Sequence, residues 1–208
     1  MNTTPTPTPT PAPAAVGLAE LGELAVALVE RFRAHFPVET ERERQVLALA
    51  EEAGELVGAY RRAAGMARRS GPWSEVEAEL ADVVITAYVT GRVLDVDLDA
   101  QDDPTSVKAV PTGSQAVLQL FAVTGWFVDT YTAGRQSLMA AVLAEVVTAA
   151  RHTATVLDID LDAAIAAKTA VMFSRGWRDA PSPSAPAAAA TSAPKGRPAA
   201  AAGEEWPR

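Results

Sequence analysis

The chain lacks cysteine and has only two histidines among its 208 residues. Without cysteine it can form no disulfide, no thiolate zinc site and no cysteine nucleophile. Neither His35 nor His152 belongs to a recognisable metal motif, so we interpret both as ordinary helix residues. No apolar run approaches the roughly 20 residues of a membrane span, and residues 1–15 lack the features of a secretory signal. We therefore expect a cytoplasmic protein without a membrane partner.

Positive charge is also scarce, because 18 basic residues face 26 acidic ones and leave a net charge of −8. An acidic surface repels the phosphate backbone of nucleic acids, so we expect no nucleic-acid partner. An anionic small molecule would need metal ions or local basic residues in order to approach.

Composition divides the chain into a central domain and two tails. Residues 1–15 alternate Thr with Pro, and residues 179–208 are rich in Pro, Ala and Ser. Neither segment can bury enough apolar surface to fold, so both are expected to be disordered. Residues 16–178 remain as one domain, in which residues 101–113 form a connector between two halves, 16–100 and 114–178.

Apolar residues within the domain recur with helical periodicity, and no strand pattern of any length competes. Ser74 followed by Glu77 has the spacing of a capping box and predicts the start of the third helix. The fold class is therefore all-α, a bundle of about six helices. The predicted helices span residues 16–36, 39–64, 74–94, 114–131, 136–157 and 162–176.

The two halves of the domain are related by an internal duplication. Residues 83–100 and 146–163 match at 11 of 18 positions without a gap. Upstream, residues 47–60 and 118–131 share five of 14 positions in the same order. The repeat unit is a pair of helices, so we predict a pseudo-dimer of helix pairs within one chain.

Carboxylates in the first half occupy unusual positions. Glu52 and Glu55 lie three residues apart on one helix, as do Glu79 and Asp82 on the next, so each pair projects from one side of its helix. Both pairs interrupt apolar stripes, and ionised acids there are costly unless they are paired with cations. Neither helix carries a basic residue at contact distance from them, which favours a bound divalent metal.

The second half lacks almost all of these acids. Glu51, Glu52 and Glu55 correspond to Ala122, Val123 and Trp126, and Glu79 and Asp82 correspond to Val142 and Glu145. A solvated acidic face would be expected to keep polar residues in both copies. We infer that the fold does not require the acids, and that the second half is a degenerate copy without its own metal site.

Clustered carboxylate oxygens are the ligands that suit Mg²⁺ or Mn²⁺. A di-iron site would need Glu-x-x-His pairs, which are not present. The repeated Leu-Asp-x-Asp-Leu-Asp-Ala lacks the glycine and the final glutamate of a calcium loop. We interpret it as a turn between helices, with Asp160 or Asp162 as an N-cap.

The pattern Glu-Glu-x-x-Glu, a 23-residue gap and then Glu-x-x-Asp on consecutive helices resembles the MazG-like members of the all-α nucleoside triphosphate pyrophosphohydrolase superfamily. The resemblance covers roughly residues 16–178. It implies that Glu52, Glu55, Glu79 and Asp82 hold Mg²⁺, with Glu51 as the catalytic residue close to the attacking water. It also implies hydrolysis of a nucleoside triphosphate to nucleoside monophosphate and pyrophosphate, at a site built across paired subunits.

The last helix of that family often carries Lys-x-x-x-Asn-x-x-Arg for contacts with phosphate and nucleotide. Here Lys168 and Arg175 match the pattern, which implies substrate binding, whereas Met172 stands where asparagine is expected. Arg61, Arg62, Arg68 and Arg69 could also meet phosphates, although a solvated basic turn is the simpler interpretation.

Three hypotheses follow from the sequence. The first is an Mg²⁺-dependent pyrophosphohydrolase that controls or cleans the nucleotide pool, with self-association left open. The second is a non-catalytic module of the same fold that binds nucleotides or a protein. The third is a purely structural helical bundle, which the acids within apolar stripes make awkward.

Overall fold

A computed structural model describes residues 17–99 and 112–175 of the chain. These residues form an all-α bundle, and no strand occurs among them. The predicted tails, most of the connector and residues 176–178 lie outside the described residues. Two short 3₁₀ helices, Leu18–Glu20 and Val38–Thr40, precede α1 and α2. The six α-helices are α1 (Leu21–Arg33), α2 (Glu41–Ala63), α3 (Trp73–Val93), α4 (Gly113–Thr132), α5 (Gln136–Leu157) and α6 (Leu161–Arg175).

Most helix boundaries fall within two or three residues of the predicted ones, but the predicted cap of α3 is wrong. The helix begins at Trp73, and Pro72 is its N-cap, with extended backbone and no side-chain hydrogen bond. Ser74 therefore lies inside the first turn, where it cannot act as the cap. The expected cap of α6 is confirmed, because Asp160 Oδ1 accepts a hydrogen bond from the Ala163 backbone N–H at 3.0 Å.

The bundle consists of two helix pairs with α3 at the centre. Helix α2 packs on α3 and α4 packs on α5, while α2 also contacts α4 and α3 contacts α5. Helices α1 and α6 both pack on α3, so α3 has neighbours on most of its sides. The core side chains come from every α-helix and include Leu28, Leu56, Leu80, Leu120, Leu143 and Ile165.

Equivalent threonines make equivalent hydrogen bonds in the two halves. Thr90 Oγ1 donates to the carbonyl of Thr86, four residues earlier, and lies 3.4 Å from the carbonyl of Gln45 on α2. Thr153 Oγ1 has the same relation to Ala149 and, at 3.3 Å, to Ala116 on α4. Both sets of positions obey the offsets of the sequence duplication, so the duplication extends to the contacts between paired helices.

The repeated aspartates that follow α3 and α5 share an uncommon backbone conformation. Asp95 and Asp158 both have positive φ, 60° and 56°. The next residue in each turn, Val96 or Ile159, donates its N–H back to a carbonyl five residues earlier at 2.8 and 2.9 Å. This is the hydrogen bonding of a helix C-terminal motif, and aspartate tolerates it better than most residues. The repeat is therefore a turn, as the sequence indicates.

Among the described helices, α5 is long and apolar enough to cross a membrane by length and composition, and half of that stretch is buried inside the bundle. Core helices of soluble proteins meet the same criteria. The burial follows from the packing of α5 against α4 and α3.

We expect Thr90→Val and Thr153→Val to lower the free energy of unfolding by similar amounts, about 1 kcal/mol each, because each loses one buried hydroxyl donor while the shape is kept. Urea unfolding followed by circular dichroism measures both. Thr155→Val is the control, since that hydroxyl is exposed and bonds only within its own helix. Strongly unequal losses at Thr90 and Thr153 would contradict the equivalence of the two contacts.

Candidate metal centre

Four predicted acids meet where α2 and α3 pack together, and we call Glu52, Glu55, Glu79 and Asp82 the acidic seam. One carboxylate oxygen from each of Glu52, Glu55 and Glu79 lies within 4.8 Å of the other two. Asp82 is close enough to raise the pKa of both Glu52 and Glu79 through charge repulsion. Among the residues that the structure describes, the three glutamates are the group of acids arranged to share one ion.

The buried faces of α2 and α3 place the acids at this seam. On α2, Leu49, Ala53 and Leu56 are at most 1% exposed, and on α3, Val76, Leu80 and Val83 are fully buried. Because these stripes pack against the core, the residues at their edges face one another across the junction of the two helices. Glu52, Glu79 and Asp82 are half-buried as a result, while Glu55 is exposed.

The electrostatics of the seam show incompletely compensated negative charge. Burial raises the pKa of Glu52 to about 7, and repulsion from Asp82, Glu55 and Glu79 adds to the effect. Burial and the neighbouring Asp82 and Glu55 likewise raise the pKa of Glu79. A divalent cation among these oxygens would remove the repulsion, so the donor set fits a hard cation such as Mg²⁺ or Mn²⁺.

Lys168 reaches the seam from α6 and forms an ion pair with Asp82. Its side chain is 28% exposed and that of Asp82 is 13% exposed. Burial still raises the pKa of Asp82, although the contact with Lys168 opposes this. The seam thus contains one ion pair, and its lysine comes from the second half of the chain. In the described structure, no comparable ion pair involves the three glutamates.

The pattern of the two helices that carry the acids does not predict this ion pair, because its cation lies on α6. Contact between α6 and α3 joins residues far apart in the chain, and no periodicity indicates such a contact. The one feature of the sequence that indicated a role for Lys168 was its match to the Lys-x-x-x-Asn-x-x-Arg pattern. The structure brings this predicted substrate-binding residue to the predicted metal ligands.

The other two predicted site residues lie differently. Glu51 is exposed and lines an open depression of about 400 Å³ beside Arg44 and Leu47, because one residue along a helix turns the side chain by about 100° from Glu52. Its catalytic role stays a prediction. Arg175 ends α6, two turns beyond Lys168, and its side chain lies outside the described residues.

The equivalent place in the second half has a different character. Val142 is buried, Val123 is half-buried and Trp126 is 48% exposed. Only Glu145 keeps a carboxylate, and it is half-buried. The two helix pairs thus share their packing, and the carboxylate cluster belongs to the first pair.

No family model matches the sequence, and neither curated proteins nor solved structures give a significant match. The functional interpretation therefore depends on the residues of this chain and their geometry.

In the absence of divalent ions, Glu52 should make the stability of the protein depend on pH. Its folded-state pKa of about 7 lies above the ordinary value of 4.5, so its contribution is fully present below pH 4.5 and is lost as the pH rises through 7. Glu52→Gln should therefore be more stable than the wild type at pH 8, by roughly 1 kcal/mol after solvent screening, and should lose that advantage at pH 5. Urea unfolding at both pH values tests this.

The matched control for that measurement is Glu145→Gln, which removes a half-buried carboxylate at the equivalent place in the second half. It should show no comparable gain at pH 8. An equal gain in both variants would mean that the effect comes from net charge and not from the seam.

Divalent ions should stabilise the folded protein. Mg²⁺ or Mn²⁺ well above its Kd should raise the Tm by roughly 3–6 °C, because the ion binds the folded state alone. Glu55→Gln and Glu79→Gln should each reduce the rise, whereas Glu145→Gln should keep it. An equal rise with NaCl at matched ionic strength would contradict a specific site.

Proposed function

We propose that the protein is an Mg²⁺-dependent hydrolase of nucleoside triphosphates, resembling the MazG-like pyrophosphohydrolases, that acts in the cytoplasm. The observation that carries the proposal is the convergence of Glu52, Glu55 and Glu79 on one point, with Lys168 beside them. Oxygen donors in this arrangement suit a cation that also binds phosphate, and a lysine at its edge suits the phosphate itself.

The proposed reaction consumes one water molecule. The water oxygen forms a bond to the α-phosphorus, the bond from that phosphorus to the bridging oxygen of the β-phosphate breaks, and pyrophosphate leaves. A bound Mg²⁺ would neutralise charge on the phosphates and favour deprotonation of the attacking water.

Within this scheme Glu52, Glu55 and Glu79 would hold the ion. Asp82 would contact both the ion and Lys168. Since Lys168 already contacts Asp82, it stands close to where phosphate oxygens would lie, and its ammonium group can stabilise their charge. A bound cation would lower the pKa of Glu52, so the attacking water would pass its proton to a base that does not hold the ion. Glu51 would have to act from the neighbouring face of α2.

A second candidate is a nucleotide-binding module without turnover. The observation that favours it is the ion pair between Lys168 and Asp82, which supplies Asp82 with a cation in the absence of any metal. Met172, which takes the place of the expected asparagine, is half-buried and packs against the core instead of presenting a polar group.

A pyrophosphate-release screen over common and damaged nucleoside triphosphates, with and without Mg²⁺, separates the two candidates. We expect Mg²⁺-dependent release, and a loss of roughly 100-fold or more in Glu52→Gln and in Asp82→Asn, because each removes charge from the centre of the seam. Glu145→Gln should retain activity. Nucleotide binding without release in the wild type would favour the module, and undiminished turnover in both seam variants would contradict the metal centre.

The same two variants should differ in stability without metal. Glu52→Gln relieves repulsion, whereas Asp82→Asn leaves the partly buried Lys168 without its carboxylate partner. We therefore expect Asp82→Asn to be the less stable of the two by thermal denaturation in the presence of a chelator. Equal stability would indicate that the ion pair contributes little.

A further inference from the structure

The first basic residue beyond the acidic seam on the same side of α2 is Arg62. Glu55, Gly58 and Arg62 stand at positions i, i+3 and i+7, so they form one row along the helix. On α3, Glu75, Glu79 and Asp82 form the facing row, at positions i, i+4 and i+7. In sequence, nothing separates Arg62 from the other arginines near this turn. In the structure, its ion pair with Glu75 does.

Glu75 fixes the orientation of the Arg62 side chain. Arg62 Nε and Nη2 donate to Glu75 Oε2 at 3.2 and 3.0 Å. The two side chains remain 39% and 43% exposed, so a ligand can reach them. The ion pair uses one edge of the guanidinium and leaves Nη1 outside it. Arg61, Arg68 and Arg69 are exposed and have no such partner described.

Two glycines make room for this ion pair. A Cβ atom at Gly58 would lie 3.3 Å from Arg62 Nη1, and one at Gly71 would lie 2.9 Å from Glu75 Oε2. The guanidinium therefore lies back along α2, over Gly58 and toward Glu55, in the direction in which helical side chains lean. Gly58 is about 4.5 Å from Glu55 along the helix axis. The guanidinium of Arg62 thus lies about one turn from Glu55.

Cations consequently border the acidic seam at both ends. Lys168 contacts Asp82 at one end, and Arg62 contacts Glu75 at the other, one turn before Glu79. A polyphosphate that lies along the seam would meet carboxylates, and hence the ion, in the middle and a positive side chain at each end. Guanidinium groups suit the terminal phosphates because their planar donors match two oxygens at once.

We propose that Arg62, oriented by Glu75, binds the β- and γ-phosphates of the substrate and the pyrophosphate product. The inference rests on the proposed triphosphate hydrolysis and adds a direction to it. The phosphate tail points toward the turn between α2 and α3, and the nucleoside lies toward α6. Arg62 is then a binding residue, and Glu75 is a positioning residue that acts through it.

Titration of the full-length protein with inorganic pyrophosphate and Mg²⁺ in a calorimeter tests this subsite without requiring turnover. Arg62→Ala should weaken pyrophosphate binding by about tenfold or more, since charged hydrogen bonds are lost. Arg62→Lys should recover part of the affinity, and Glu75→Gln should weaken binding less than Arg62→Ala. The Kd for a nucleoside monophosphate should stay unchanged in all three variants.

Arg61→Ala is the matched control, because it removes the same charge from the adjacent position, which points about 100° away around α2. It should keep the wild-type Kd for pyrophosphate. If it weakens binding as much as Arg62→Ala, or if Arg62→Ala keeps the wild-type Kd while the variant is folded by circular dichroism, the subsite is overturned.

The same measurements distinguish a failure of the subsite from a failure of the proposed function. Turnover of a triphosphate by an Arg62→Ala variant with unaltered pyrophosphate affinity and KM overturns the subsite alone. Pyrophosphate binding that depends on Arg62, in a wild type that releases no pyrophosphate from any triphosphate, supports the subsite and overturns the hydrolysis. An ion pair with a purely structural role predicts a lower Tm in Arg62→Ala and in Glu75→Gln, with no change in either Kd.

Discussion

The burial of α3 is the constraint on which the arrangement of the molecule depends. Helices α1, α2, α5 and α6 all pack on it, so little of its surface remains for polar residues. An acid on this helix is stable only where a neighbouring helix supplies a cation or leaves a gap to solvent. Lys168 on α6 supplies the cation for Asp82. Glu79 is instead half-buried at the edge that faces α2, where solvent can reach it. The candidate site thus lies where the packing around α3 is incomplete.

The duplication separates the requirements of packing from those of chemistry. Thr90 and Thr153 repeat the same contacts, as do the turns at Asp95 and Asp158, so both halves satisfy the same structural demands. Of the seam acids, only Asp82 has an acidic counterpart in the second half, Glu145, and Val142, the equivalent of Glu79, is buried. Carboxylates that raise one another's pKa oppose folding, and the second half shows that the helix pair forms without them. That contrast is the strongest argument that the acids are retained for binding or catalysis.

Local patterns in the sequence were sufficient to predict the helices, the repeat and the clustering of Glu52, Glu55 and Glu79. These features depend on periodicity within one helix or on the packing of consecutive helices. The cap at Pro72 was missed because proline has no side-chain acceptor that marks an N-cap, whereas Ser74 and Glu77 have the spacing of a capping box. The position of Lys168 beside Asp82 was not predictable, since it depends on which helix α6 packs against. Burial and ion-pair geometry likewise require coordinates, which is why Arg62 stood out only in the structure.

The docking of α6 on α3 also bears on the order in which the molecule assembles. The pairs α2–α3 and α4–α5 join helices that are adjacent in sequence, so each can form after the closure of a short segment of chain. The contact between Lys168 and Asp82 instead closes a loop that contains about two fifths of the chain. A nascent or partly unfolded chain can therefore contain both helix pairs while the acidic seam still lacks its lysine. Completion of the seam therefore requires a contact between residues far apart in the chain, in addition to the two helix pairs.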